Sequence, residues 1–135
     1  MILLDTNAVI GLMKGHPASI RPRLNQAVAA GTKVAMSSIV LFELHYGIAR
    51  SERKTENTSR LNIFLEGPIA IEFFDSEDAA AAGEVRAALA ARGTPIGPYD
   101  VLIAGQALRH QATLVTANTR EFKRVKGLKV EDWGR

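Results

Sequence analysis

Three carboxylates in this 135-residue chain stand in apolar company, and that company is what suggests chemistry. Asp5 ends the run Met1-Ile2-Leu3-Leu4 and opens the polar string Asp5-Thr6-Asn7. Glu43 sits inside Ile39-Val40-Leu41-Phe42-Glu43-Leu44, and Asp100 directly precedes Val101-Leu102-Ile103-Ala104. A charge pressed into apolar surroundings is costly unless it is paired or binds a metal. Three such acids, far apart in sequence, suggest a pocket for a hard divalent cation. Oxygen ligands supplemented by water suit Mg²⁺ or Mn²⁺. Such an ion activates a water nucleophile and stabilises the charge that develops on a phosphate. Converging acids also raise one another's pKa until a cation neutralises them.

Each acid taken alone has a plainer reading. Asp5 could cap the helix that follows it, and Asp100 could be a first-turn acid favoured by the macrodipole. Asn118 could be a turn or N-cap asparagine. Capping cannot explain Glu43, which is mid-helix, although an exposed position on a wide apolar helix could. One turn on, Gly47 shares its face. A glycine there lowers helix stability by about 1 kcal/mol, so open space beside Glu43 would have a use. Joint placement is the stronger argument. Asp5 and Asn118 both fall just beyond predicted strand ends, where ligands bind in open α/β sheets. Asp100 begins one helix, and Glu43 lies in another that follows a strand end.

The elements that must position these residues alternate along the chain. The short apolar run at the start reads as a strand buried on both faces of a parallel sheet. A helix over 6–14 follows, stopped by Gly15 and Pro17, then one from about 18 to 30 with Gly31 as its stop signal. Residues 33–36 read as a strand, and Ser37-Ser38 supplies the N-cap of a helix over 39–49. The charged stretch 50–56 reads as a loop or helix extension, followed by a helix over 58–65 that Gly67-Pro68 ends. A strand over 69–74 precedes a long alanine-rich helix to about Arg92, capped by Ser76-Glu77-Asp78. After the loop 93–98 come a helix through Ala107 and a strand over 113–116. A turn with a short helix over 118–123 and a last strand over 128–130 complete the order. No internal repeat or second domain interrupts it. The expected architecture is a single domain, 1–135, folded as a three-layer α/β sandwich around a mainly parallel sheet.

Bulk properties narrow the function classes. A chain of this length buries a real core, and its 47% hydrophobic content is incompatible with a disordered segment. The formal charge of +3 is compatible with a polyanionic partner and equally with ordinary surface charge. There is no cysteine, which removes disulfides, thiolate metal sites and cysteine nucleophiles and suits a reducing cytoplasm. No apolar segment is long enough to span a membrane, and the amino terminus lacks the features of a signal peptide.

The chain resembles the PIN-domain ribonucleases, specifically the VapC-type toxins of type II toxin–antitoxin pairs. The resemblance covers nearly its whole length. It rests on Leu3-Leu4-Asp5-Thr6-Asn7 and on Ser37-Ser38 followed by Glu43-Leu44 and Gly47. It rests also on Ile96-Gly97-Pro98-Tyr99-Asp100 with Ile103-Ala104-Gly105, on Val115-Thr116-Ala117-Asn118-Thr119-Arg120-Glu121-Phe122, and on the closing Gly127 to Trp133. One such string is weak evidence, but all of them in order are specific. The resemblance implies a parallel sheet flanked by helices, a homodimer and Mg²⁺-dependent endonuclease activity on RNA that inhibits translation. It also implies a small VapB-type antitoxin that binds operator DNA for the complex. Residue by residue, Asp5 and Asp100 match the family's direct metal ligands, and Glu43 matches the acid that completes the site. Asn118 stands where many relatives have a fourth acid, a departure that bears on a second metal and on the group orienting the attacking water. Thr6, Asn7, Ser38 and Thr116 match supporting polar positions. The Gly-Pro-aromatic-Asp and Asn-Thr-Arg-Glu-Phe strings look like a branch that cleaves transfer RNA, the initiator tRNA in particular.

Two rival classes are weighed against this. A phosphatase of the haloacid dehalogenase type needs a second acid two positions after the first, where this chain has Asn7. A non-catalytic PIN-like binding module would tolerate loss of the acids, yet all three are present. The glycines before Asp100 lack the lysine and spacing of a phosphate-binding loop. His16, His45 and His110 have no metal-ligand spacing, and Trp133 reads as an anchor for the carboxyl terminus. Candidate RNA contacts are Arg50, Arg53, Lys54, Arg86, Arg120, Lys123 and Arg124, which could equally form a solvated face. Leu61, Ile63, Phe64 and Leu65 are expected to meet a symmetric partner or the antitoxin, whose arginine would enter the acid pocket past Gly47.

Overall fold

The opening apolar run forms the central strand of the sheet. In a computed structural model that describes all 135 residues, β1 (Ile2–Leu4) pairs with β2 (Val34–Ser37) on one side and β4 (Thr113–Val115) on the other. β3 (Ala70–Glu72) and β5 (Lys129–Glu131) are the outer strands, giving the order β3-β2-β1-β4-β5. All four pairings are parallel. The chain winds outward from β1 to β3, then returns to the far side of β1 to make β4. Ligands in open α/β sheets bind where the winding reverses, so the end of β1 is the favoured crevice.

The helices follow from the patterning. They are α1 (Thr6–Lys14), α2 (Ile20–Ala29), α3 (Ser38–Ala49), α4 (Lys54–Leu65), α5 (Ser76–Ala91), α6 (Pro98–Arg109) and α7 (Thr119–Phe122). Parallel strands need right-handed crossovers, which assign α1–α4 to one face of the sheet and α5–α7 to the other. The contacts agree: α1 touches α2, α3 and α4, while α5 packs along α6. The result is the expected three-layer sandwich, with Leu3, Leu4, Met36, Leu114 and Val115 buried at its centre.

Register explains how the sheet presents polar groups. Ile71, Met36, Leu4, Val115 and Glu131 lie side by side across the five strands. The next residue on each strand is Glu72, Ser37, Asp5, Thr116 and Asp132, so every position in that following row is polar. The ladder runs on into it, because the Asp5 N–H donates to the Val115 carbonyl and the Thr116 N–H to that of Glu131, each at 3.0 Å.

Some boundaries differ from expectation. The third strand stops at Glu72, and Phe73 beyond it is exposed. Helix α4 begins a turn early, at Lys54, without a side-chain cap from Arg53. The cap of α5 is Asp75, whose carboxylate accepts the N–H groups of Glu77 and Asp78 while Asp78 accepts that of Asp75. Arg109, at the end of α6, grips that same turn through Asp75, Glu77 and the fully buried Asp78. Gly105 allows the two helices to touch: a Cβ there would stand 2.5 Å from the Ala82 backbone. The region expected to meet partners is also reapportioned, since Leu61 is buried in the core and Phe64 and Leu65 pack against it, leaving Ile63 exposed.

Candidate active site

Asp5 leaves β1 and caps α1 in one step. Its Oδ1 accepts the Ala8 N–H at 2.9 Å, so the capping reading is correct, and the side chain is almost wholly buried. Burial pushes its pKa up, partly offset by hydrogen bonds from Thr116 and Ala8, while the nearby charges of Glu43 and Asp132 raise it further. Capping and site membership are therefore compatible roles for one carboxylate.

Glu43 comes from the second turn of α3, a helix that starts because the buried Ser37 accepts the Ile39 N–H and satisfies an otherwise free donor. Thr6 donates its hydroxyl hydrogen to Glu43 Oε1 at 2.8 Å, tying the start of α1 to α3. Asp100 enters from the first turn of α6, where Pro98 at the helix start supplies the fixed φ that suits that position. Gly97 leaves room beside it: a Cβ there would lie 2.9 Å from Asp100 Oδ2, and the carboxylate would have to turn aside. The Asp100 carboxyl is pushed up to about 6 by burial first, then by the charges of Glu121, Glu43 and Asp5.

The residue that sequence reasoning missed is Glu121. It sits on α7, one turn after Asn118, and its Oε1 accepts the Gly97 N–H at 2.9 Å. Asn118 donates its side-chain amide to Oε2, and the Asp100 carboxyl also hydrogen-bonds to Glu121. These donors hold Glu121 below its ordinary range, led by the Gly97 N–H, while its neighbour Asp100 is raised. As pH falls, Asp100 therefore takes up a proton before Glu121 does. Asn118 itself is exposed; its backbone N–H donates to Thr116 Oγ1 at 2.9 Å, and its amide orients Glu121. A fourth carboxylate thus stands beside Asp100, one helical turn on from Asn118.

Asp5, Glu43 and Asp100 influence one another electrostatically, with Glu121 beside Asp100. No three of these side chains close into a group that could grip an ion without moving. The donor set is nonetheless all oxygen, in a crevice where the acids repel one another, which is the chemistry a hard divalent cation satisfies. Among the supporting positions, Thr6 and Thr116 touch site carboxylates, Asn7 is exposed nearby, and Ser38 instead accepts the Phe74 N–H. Arg120 and Lys123 are exposed on and beside α7, whereas Arg53 pairs with Glu56 and Arg50 stacks over Tyr46. His110 lies near Glu72 and Asp78 at the far end of α6, and the three histidines form no ligand group.

An all-parallel sheet with carboxylates gathered at its winding reversal is the class of fold this chain adopts. Comparison with known proteins gives the family. The PIN domain family model matches residues 2–128. A Shigella flexneri protein described as a tRNA(fMet)-specific endonuclease VapC is 41% identical over 97% of this chain and 96% of its own length. Ribonuclease VapC2 of Rickettsia felis is likewise 41% identical with the same coverage. Among solved structures, VapBC2 from Rickettsia felis bound to a promoter DNA fragment aligns with a TM-score of 0.91 and 40% identity, covering 98% of this chain and 99% of that one. DNA-bound VapBC from Salmonella typhimurium aligns at 0.89 and 39%, covering 98% and 97%. The chain belongs to the PIN-domain family, among its VapC-type toxins.

Proposed function

We propose that this protein is the toxin of a type II toxin–antitoxin pair and a Mg²⁺-dependent endoribonuclease that cuts a transfer RNA, the initiator tRNA in particular. Loss of that tRNA would stop translation, which makes the cytoplasm the place of action. No helix is long and apolar enough to cross a membrane. The observation that carries this reading is the convergence of Asp5, Glu43, Asp100 and Glu121 at the winding reversal of the sheet. The substrate class is supported by the tRNA(fMet)-specific activity for which the Shigella flexneri and Salmonella typhimurium relatives are named.

Asp5, Asp100 and Glu43 would hold the ion, with Mn²⁺ able to replace Mg²⁺. When bound, the ion supplies an activated water and neutralises the charge developing on the scissile phosphate. The protein's own groups do the rest. Thr6 fixes the rotamer of Glu43, and Thr116 with the Ala8 N–H fixes Asp5. Glu121, held ionised by Gly97 and Asn118, keeps a proton-accepting oxygen beside Asp100. Arg120 and Lys123 offer charge to the RNA backbone next to this edge.

An antitoxin has a route to the same acids. A groove of about 320 Å³ runs between α1, α3 and α4, lined by Ile10, Met13, Leu44 and Gly47 and reaching Glu43. Nothing lies within 4 Å of where a Gly47 side chain would start, so the groove is open at that point. An apolar antitoxin segment suits its floor, and an arginine at its end would pair with the carboxylates. The relatives solved with their antitoxins and promoter DNA support a hetero-oligomer that reaches operator DNA through the antitoxin. A second copy of this chain suits another surface. Phe42 and Tyr46 stand one turn apart on the outer side of α3, Tyr99 packs against Phe42 at 5.5 Å, and Phe73 is exposed beyond β3. Four exposed aromatics on one small protein favour coverage by a symmetric partner.

The test is cleavage of purified tRNA by the purified protein. EDTA should abolish cutting and added Mg²⁺ or Mn²⁺ should restore it. Sequencing RNA ends after expression in a growing bacterium should find one dominant site. Phosphate release from small esters with RNA left intact would reverse the reading in favour of a phosphatase.

A further inference from the structure

We propose that Asp132 is a fifth carboxylate of the site, holding the water shell of the bound cation from the β5 side and so strengthening the pocket's grip on the ion. The inference rests on the metal-dependent reading above. Its basis is register. Leu4, Val115 and Glu131 lie side by side on β1, β4 and β5, so Asp5, Thr116 and Asp132 are the next residues on three adjacent strands. Thr116, which hydrogen-bonds Asp5, stands between the two acids. Thr116 and Asp132 also line a small cavity of about 70 Å³, with Asn7, His16 and apolar residues such as Ile20, room for about two waters. Mg²⁺ sheds its waters reluctantly, and carboxylates outside the direct ligands hold those waters in place.

The carboxyl-terminal segment is built to keep Asp132 there. Trp133 is buried, its indole N–H donates to Glu131 Oε1 at 3.0 Å, and its carbonyl accepts the Ser19 hydroxyl at 2.9 Å. Glu131 in turn pairs with Arg23 of α2. Asp132 has few competing partners. One oxygen accepts the Gly134 N–H at 2.7 Å, and the other faces the exposed Arg135 at 3.5 Å, a solvent-screened pair. The charge of Asp132 is also among those that raise the pKa of Asp5, consistent with their facing one another.

The experiment is a Mn²⁺ titration of the purified whole protein, followed by the electron paramagnetic resonance signal of free Mn²⁺, with melting temperatures recorded without cation. Asp132→Asn keeps an oxygen for the Gly134 N–H and removes only the charge. It should weaken Mn²⁺ binding about tenfold with the cation-free melting temperature unchanged, while Asp5→Asn should abolish binding. Wild-type affinity in Asp132→Asn overturns the inference. If Asp132→Asn also melts lower, Asp132→Glu decides: recovered affinity supports the charge, and affinity that stays low overturns it. A wild-type protein that binds no Mn²⁺ at all sinks the metal-dependent reading, and this inference with it.

Discussion

Glu121 and Asn118 are joined at the start of α7, beside Asp100. Glu121 carries the charge beside Asp100, and Asn118 points it. Glu121→Gln should therefore cost about a hundredfold in kcat, whereas Asn118→Ala should cost about tenfold, both measured on tRNA at saturating Mg²⁺. Asp5→Asn and Asp100→Asn should each lose about a hundredfold or more while staying folded, and full activity in either would overturn the site. Asp100 also sets a pH dependence. Its folded carboxyl is raised from 3.8 to about 6, so between those values the folded state binds more protons than the unfolded one. Stability of the cation-free protein should fall as pH rises through that window, and Asp100→Asn should flatten the slope in melting curves recorded with EDTA. Asp5, Glu43 and Asp100 were legible because each interrupts an apolar run. Glu121 was not, because Thr119-Arg120-Glu121 reads like any solvated turn, and only the fold reveals that the turn faces Gly97.

At the scale of elements, the site depends on how closely α5 and α6 approach. Gly105→Val would drive side-chain carbons into the Ala82 backbone and push α6, with Asp100 at its start, away from the sheet. Such overpacking should cost about 2 kcal/mol or more, read as a lower urea midpoint, and cleavage should fall with it. The order of strands and helices was readable from alternating apolar runs and Gly or Pro stops. Where it failed, the reason is local. The expected strand over 69–74 ran too long because Phe73 and Phe74 have strand-like side chains, yet Phe73 faces solvent. The start of α4 carries no capping side chain, so nothing in the sequence marked it. The pairing of β1 with β4, over a hundred residues away, was invisible to any local pattern, although an apolar opening strand required neighbours on both sides.

For the whole molecule, two surfaces make separable predictions. Phe42→Ser combined with Tyr99→Ser should convert a symmetric pair to a monomer by light scattering. An unaltered mass would assign that face another use. Gly47→Leu should leave tRNA cleavage in place and weaken binding of the antitoxin by about tenfold, or about 1.4 kcal/mol, because it fills the groove beside Glu43. The winding of the sheet has one more consequence. The first strand is made almost immediately, but its neighbour β4 and the acid on α7 lie near the other end of the chain. At bacterial rates of synthesis, the interval between Asp5 and Glu121 leaving the ribosome is on the order of ten seconds. During that time the growing polypeptide carries Asp5 and then Glu43 and Asp100, but not the strands that gather them. With the proposed activity, a half-made copy would be harmless to the cell's tRNA, and danger would begin only as the last strands join the sheet.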